Sequence, residues 1–261
     1  MPGPTYRFAL VNGQRQEAQR NLLGECRVCG SPMVAKCGKI RVWHWAHAGG
    51  HVCDPWWENQ TEWHRAWKDQ FPAEWQEIFH SAENGERHIA DVKTDRGWVI
   101  EFQHSHLKPE ERGSREAFYP KLIWVVDGTR KRDRAQLIRV WEEGVPLGGN
   151  PNVRKAFWAD CGLLREWAGS EAPIFFDLGE MERLLWLCGK RTDGWAYVHP
   201  FSRAQFIEWH RSTATGAALQ FDEFVTDILP KWIANYESSL RAQPLRGDPL
   251  QPRGFRRSFR F

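Results

Sequence analysis

The segment His88-Ile89-Ala90-Asp91-Val92-Lys93-Thr94-Asp95-Arg96-Gly97-Trp98-Val99-Ile100-Glu101-Phe102-Gln103 reads as two short apolar runs around a turn. Asp95-Arg96-Gly97 is turn chemistry, because Gly97 can take φ > 0 at no steric cost. Strands over 87–93 and 98–104 then form a hairpin that brings Asp91 and Glu101 together. Gln103, two residues past Glu101, shares its face, because strand side chains alternate. Two carboxylates and an amide on one sheet face are how a hard divalent cation is held beside a phosphodiester. Acids at strand ends also serve simply as edge charges that discourage edge-to-edge pairing. The neighbouring sequence therefore carries the weight.

Upstream, Cys26-x2-Cys29, Cys37, His44-x2-His47, His51 and Cys53 put four Cys and three His into 28 residues. Cys-x2-Cys is a knuckle that presents two thiolates to one tetrahedral Zn²⁺. The second ligand pair comes from His44, His47, His51 or Cys53, with His47 and Cys53 the first choice and His44 the next. A Zn²⁺ here is structural, because a small segment with little core needs a staple. Cys161 and Cys188 stand far apart among apolar residues and read as buried thiols.

Working outward, Phe8-Ala9-Leu10-Val11 before Asn12-Gly13 signals a hairpin. Residues 57–71 read as a helix ended by Phe71-Pro72, with Trp57, Thr61, His64 and Lys68 at helical spacing. Residues 75–80 read as a strand, and Pro109–Tyr119 as a helix with Glu110 and Glu111 in its first turn. Leu122–Val126 reads as a buried strand and Arg130–Glu143 as an amphipathic helix closed by Gly144. Leu147-Gly148-Gly149-Asn150-Pro151 reads as a linker. Beyond it, strands are expected near 174–176, 184–188 and 196–198, and helices over 202–213 and 221–240, the latter kinked at Pro230. The expected organisation is a zinc module over 1–56, an α/β core over 57–147, a further domain over 152–240 and a tail over 241–261. That tail has six Arg and one Asp and reads as disordered.

The 261 residues are 41% hydrophobic and 26% charged, an ordinary globular composition, and a net charge of +3 permits nucleic-acid binding without demanding it. No run of 18 apolar residues exists, so no membrane span is expected. Met1-Pro2-Gly3-Pro4-Thr5 lacks the pattern of a secretory signal. The cytoplasm is the expected compartment, where six Cys are thiols or metal ligands rather than disulfides.

These residues together resemble the competence protein CoiA-like nuclease family. The matching text is Cys26-x2-Cys29, His44-Trp45-Ala46-His47, Thr61-Glu62-x-His64-x3-Lys68, Ala90-Asp91-Val92, Ile100-Glu101-Phe102-Gln103-x-Ser105, Arg115-x3-Tyr119 and Ile123-Trp124, covering residues 20–127. The resemblance implies a zinc-finger-like N-terminal module on a restriction-endonuclease-like core of the PD-(D/E)xK type. Its mixed central sheet is flanked by helices, with an α/β or mainly helical C-terminal extension. It implies a Mg²⁺- or Mn²⁺-dependent deoxyribonuclease, acting in DNA uptake and recombination or in defence. Asp91 and Glu101 hold the cation and Gln103 orients water, standing where the wider superfamily has Lys. His64 and Lys68 share a helix face that looks either at the phosphate or at solvent, and Arg115 and Tyr119, on one helix face, either contact substrate or pack on the sheet. Gln60 stands where relatives have Glu, and Glu62 or Glu58 substitutes for it. Independently of the resemblance, Lys108, Arg112, Arg130, Lys131, Arg132 and Arg134 are either lining for a DNA path or solvated surface charges, while His104 points away from Gln103. A homodimer, or a partner protein on the C-terminal region, fits double-strand cleavage. The rival expectation is a non-catalytic DNA-binding or assembly module that keeps the nuclease fold, and Gln60 is the feature that favours it.

Overall fold

A computed structural model describes residues 5–50, 52–54, 56, 60–82, 85–147, 150–179, 182–192, 194–211 and 221–242. His51, Glu58 and the tail from residue 243 onward lie outside the described residues.

The N-terminal residues build a five-stranded antiparallel sheet. Its strands are β1 (Phe8–Val11), β2 (Gln14–Glu17), β3 (Leu23–Glu25), β4 (Pro32–Lys36) and β5 (His44–His47), in the order β2-β1-β3-β4-β5. Asn12 and Gly13 both take positive φ, 50° and 76°, as the expected two-residue hairpin requires. The sheet curls until Tyr6 and Trp45 exchange two backbone hydrogen bonds of 2.9 and 2.7 Å. Trp45, Met33 and Ala9 fill the small core inside that curl.

The rest of the chain is built on one nine-stranded sheet. Its strands are β6 (Gln76–Ser81), β7 (Arg87–Lys93), β8 (Val99–Gln103), β9 (Leu122–Asp127), β10 (Val145–Leu147), β11 (Asn150–Phe157), β12 (Ile174–Asp177), β13 (Arg183–Thr192) and β14 (Trp195–Ser202). Their order is β10-β11-β14-β13-β12-β9-β8-β7-β6, with β8, β9 and β12 parallel at the centre. Helices α1 (Glu62–Lys68), α5 (Arg203–Arg211) and α6 (Leu229–Ala242) cover one face. Helices α2 (Pro109–Phe118), α3 (Lys131–Glu143) and α4 (Gly162–Trp167) cover the other. Alternation divides β9 between the two cores: Ile123 and Val125 face α1, while Leu122, Trp124 and Val126 face α3.

The expected linker at 147–151 is corrected. β10 and β11 pair antiparallel across it, and β11 to β14 extend the same sheet instead of forming a separate one. The reason lies in β9 and β12: Leu-Ile-Trp-Val-Val-Asp and Ile-Phe-Phe-Asp are buried at every position and pair in parallel. Strands apolar on both faces belong inside a covered sheet. Of the helix expected over 57–71, residues 57–59 lie outside the described residues, and the helix runs over Glu62–Lys68, starting after Thr61. That residue caps it, accepting from the His64 N–H, while the His64 ring reaches back to the Thr61 N–H. Of the helix expected over 221–240, Phe224–Ile228 form a π-helical turn and Leu229–Ala242 a regular α-helix that contains Pro230. Pro230 has no N–H to give, and the turn before it widens.

Candidate functional site

The zinc donors sit where β3, β4 and β5 converge. Cys26 and Cys29 lie in the β3–β4 turn, where Gly30 takes φ 71° and donates its N–H to the Cys26 carbonyl at 2.9 Å. His47 ends β5, and Cys53 follows it. The donor atoms of Cys26, Cys29, His47 and Cys53 all lie within 4.8 Å of one another. Cys26 Sγ is 3.7 Å from Cys53 Sγ, and His47 Nε2 is 3.3 Å from Cys29 Sγ and 3.8 Å from Cys53 Sγ. A tetrahedral Zn²⁺ site has edges of about 3.8 Å between sulfurs and about 3.6 Å between sulfur and nitrogen, so these four residues fit the ion. The contact with Cys53, helped by backbone N–H bonds, holds the Cys26 thiol well below the ordinary range despite burial, while the Cys53 thiol is pushed up. Tyr6 Oη lies 3.4 Å from Cys53 Sγ, an outer contact of the kind that orients a ligand.

His44 is not a ligand. It lies three residues before His47 on β5, hence on the opposite face, and its Nδ1 bonds the Val42 carbonyl at 2.8 Å. Removing the metal, or replacing Cys26 with Ser, is expected to melt the N-terminal sheet, whose own core is small. One zinc per parent chain by elemental analysis, and an early thermal transition on chelation, would check this.

The acid pair forms as the hairpin reading requires. Val92 pairs with Ile100 and Lys93 with Val99, which makes Asp91 and Glu101 the next opposing pair. Gly97 takes φ 80° in the connecting turn. At that next pair the ladder gives way to side chains: Asp91 Oδ2 accepts from the Phe102 N–H at 3.0 Å, and Glu101 Oε1 accepts from the Asp91 N–H at 3.2 Å. Both acids line a small cleft with His64, Lys68, Gln60 and Arg115. Lys68 Nζ lies 3.3 Å from Asp91 Oδ1, and Arg115 Nη1 lies 3.3 Å from Glu101 Oε2.

Glu77 carries no signal in its local sequence, yet it organises this cleft. The β6–β7 pairing passes over it, from Gln76↔Val92 to Ile78↔Ala90, and Glu77 takes φ 46°, a left-handed conformation costly for a non-glycine residue. Its buried carboxylate accepts from Lys68 Nζ at 3.0 Å, from Gln60 Nε2 at 2.6 Å, and from the Arg7 and Phe8 N–H groups. Burial raises its pKa, but Lys68 and those N–H groups outweigh that and hold it below the ordinary range. Desolvation likewise opposes the Lys68 charge, and Glu77 with Asp91 overcomes it. Asp177 was also unmarked. Fully buried at the end of β12, it accepts from the indole N–H groups of Trp63 and Trp67, so the C-terminal strands fix the helix that carries Lys68.

Several expected site residues lie elsewhere. Tyr119 is buried, packs against Trp56, His80 and Phe118, and does not line the cleft. Glu62 is exposed at the start of α1, and Gln103 donates its amide to the Ser105 carbonyl at 3.0 Å; neither lines the cleft. Arg112 is tied down at the Glu166 carbonyl. Arg130 and Arg132 do line a larger groove of about 820 Å³ with Arg165, at the carboxyl ends of β8 and β9. His104 lies there too, its Nδ1 bonded to Asp127 at 2.6 Å and its ring 5.9 Å from that of His64.

The pair fits a divalent cation on its electrostatics. Burial, then the neighbouring Asp91, pushes Glu101 up to about 8 despite Arg115. Its ionised form is therefore disfavoured, and further positive charge would favour it. Among the described residues, only the Cys/His cluster places three or more Cys, His, Asp or Glu donor atoms within 4.8 Å of one another. Asp91 and Glu101 thus offer two carboxylates, as suits Mg²⁺, which keeps waters and takes phosphate oxygens for the rest of its shell.

With no divalent ion added, stability should fall as pH rises from about 5 to about 8. The native Glu101 carboxyl keeps a proton that the unfolded chain has released, which makes the loss a few kcal/mol. Glu101→Gln should flatten that slope, as read from urea midpoints of both proteins at the two ends of the range. Equal slopes would overturn the assignment.

Against known proteins, the chain matches no family model, no curated protein and no solved structure. No helix among the described residues is long and apolar enough to cross a membrane.

Proposed function

We propose that the chain is a divalent-metal-dependent phosphodiester hydrolase with a restriction-endonuclease-like core and a structural zinc module. Within that class it is a CoiA-like deoxyribonuclease acting in DNA uptake and recombination or in defence against foreign DNA. The observation that carries the reading is the register that sets Asp91 opposite Glu101 with Lys68 Nζ beside them. Held between the two acids, Mg²⁺ or Mn²⁺ would polarise the phosphate and acidify water. Lys68 supplies the fixed positive charge that Gln103 lacks, close to where charge develops on the phosphate oxygens. Arg115 and the Asp91 N–H hold Glu101 in place. His64 Nδ1 accepts from Thr61, which assigns its ring proton to Nε2, on a residue that lines the cleft. Arg130, Arg132 and Arg165 would offer phosphate contacts in the larger groove, whose lining also carries Asp127, Asp133 and Glu166.

The rival, a non-catalytic DNA-binding or assembly module, is favoured by Gln60 alone. Yet Gln60 donates to Glu77 at 2.6 Å, and a Glu there would set carboxylate against carboxylate. Gln60 is thus matched to Glu77 rather than a damaged metal ligand. The test is incubation with supercoiled plasmid and circular single-stranded DNA in Mg²⁺, Mn²⁺ or EDTA. Metal-dependent cutting is the expected result. DNA bound but uncut under every condition would favour the module.

A further inference from the structure

From Cys26 to Cys53 the chain has no Asp or Glu in 28 residues, although acids number 33 in 261. The positive charge gathers in the connection between β4 and β5. Lys36, Lys39 and Arg41 are all exposed there, and none is in an ion pair among the described residues. Between Lys39 and Arg41 stands Ile40, 99% exposed, and Trp43 is 41% exposed. This loop is held in shape. Trp43 Nε1 donates to the Gly38 carbonyl at 3.1 Å, the Arg20 guanidinium covers the Trp43 ring, and Arg65 donates to the Trp43 carbonyl at 2.6 Å.

Under the loop lies an apolar hollow of about 750 Å³, lined in part by Ala35, Ile40 and Ala46. Thr5 lines both this hollow and the acid cleft, and Arg65 belongs to the helix that carries His64 and Lys68. A polyanion that enters the cleft is therefore within reach of the loop. Ile40 and the part-covered Trp43, set among Lys36, Lys39 and Arg41, lack the broad apolar face that a membrane anchor needs. The arrangement suits a nucleic acid, with cations on phosphates and an aliphatic wedge against a base.

We propose that the end of β4 and the loop after it, Lys36–Trp43, form a second nucleic-acid contact: Lys36, Lys39 and Arg41 meet phosphates, and Ile40 lies against the face of an unstacked base. The choice of DNA as probe rests on the nuclease reading; the contact itself does not.

The experiment measures fluorescence anisotropy of labelled single-stranded and duplex DNA against salt, using the full chain carrying Asp91→Asn so that cutting does not intervene. Adding Lys39→Ala with Arg41→Ala should weaken single-strand binding about tenfold and reduce the salt slope by about 1.4, from two lost phosphate contacts. Adding Ile40→Ala instead should weaken single-strand binding more than duplex binding and leave the slope unchanged. All three substituted positions are exposed, and unchanged zinc content checks folding. Parental affinity and slope in both variants would overturn the proposal. Co-sedimentation of the same proteins with anionic phospholipid vesicles runs alongside, and a loss seen only there would overturn it too. If the parent cuts DNA but the loop variants bind like it, the contact fails and the nuclease reading stands. If the parent never cuts but the loop variants lose affinity, the reverse holds.

Discussion

Asp91→Ala is expected to cut DNA about a thousandfold more slowly than the parent while binding it equally well or tighter. A cation held by this acid contributes several kcal/mol of transition-state stabilisation, and each 1.36 kcal/mol is about tenfold in rate. Binding is spared because the substitution removes a negative charge from beside the phosphates. The fold should survive, because opposing effects nearly cancel. Ala leaves the Phe102 N–H without its acceptor and takes one of two carboxylates from Lys68. It also relieves the repulsion that pushes Glu101 up. Asp91→Asn, which can keep the bond to Phe102, separates these effects from the loss of charge. Initial rates of plasmid nicking, with anisotropy for binding, read both quantities. An Asp91→Ala protein that cuts within tenfold of the parent would sink the site assignment.

Glu77→Ala should destabilise the protein by about 3–5 kcal/mol, because it leaves the Lys68 ammonium buried with most of its compensation gone. In a chain of this size that lowers the melting temperature by roughly 10 °C. Glu77 also joins the two sheets: the Arg7 and Phe8 N–H groups end on its carboxylate, and Arg27 donates to its backbone carbonyl at 2.9 Å. Its loss should loosen the zinc module as well as the cleft. Glu77→Gln keeps an acceptor for the N–H groups but not the charge. It should recover part of the stability while cutting more slowly than the parent, since Lys68 then leans on Asp91 alone. Calorimetry and nicking rates on the two variants distinguish positioning from packing. A Glu77→Gln protein with parental rate would show that Lys68 needs no help from Glu77.

Local chemistry made much of this legible in the sequence. The Asp91/Glu101 register follows from alternation on either side of a Gly97 turn, and the Cys26-x2-Cys29 knuckle follows from spacing. The fourth zinc donor had alternatives that only the parity of β5 resolved, placing His44 and His47 on opposite faces. Glu77, Asp54 and Asp177 had no local mark, because each is a single acid whose partners come from elsewhere in the chain. Asp54 fixes the His88 ring and the Ile89 N–H from 34 and 35 residues away, and Asp177 takes the two indoles of α1 from 114 and 110 residues away. The supposed linker failed for the same reason. Gly and Pro around residues 148–151 mark a turn, but whether a turn separates domains or joins adjacent strands depends on what the following strands pair with. Here β12 pairs with β9, a match made by burial on both faces of each strand. By itself the sequence determined the hairpin, the acid pair and the Cys26-x2-Cys29 half of the zinc donor set, because those depend on period, spacing and turn chemistry. Only the tertiary structure decided which cation neutralises the acids and what holds it, because buried charges find partners by proximity in space.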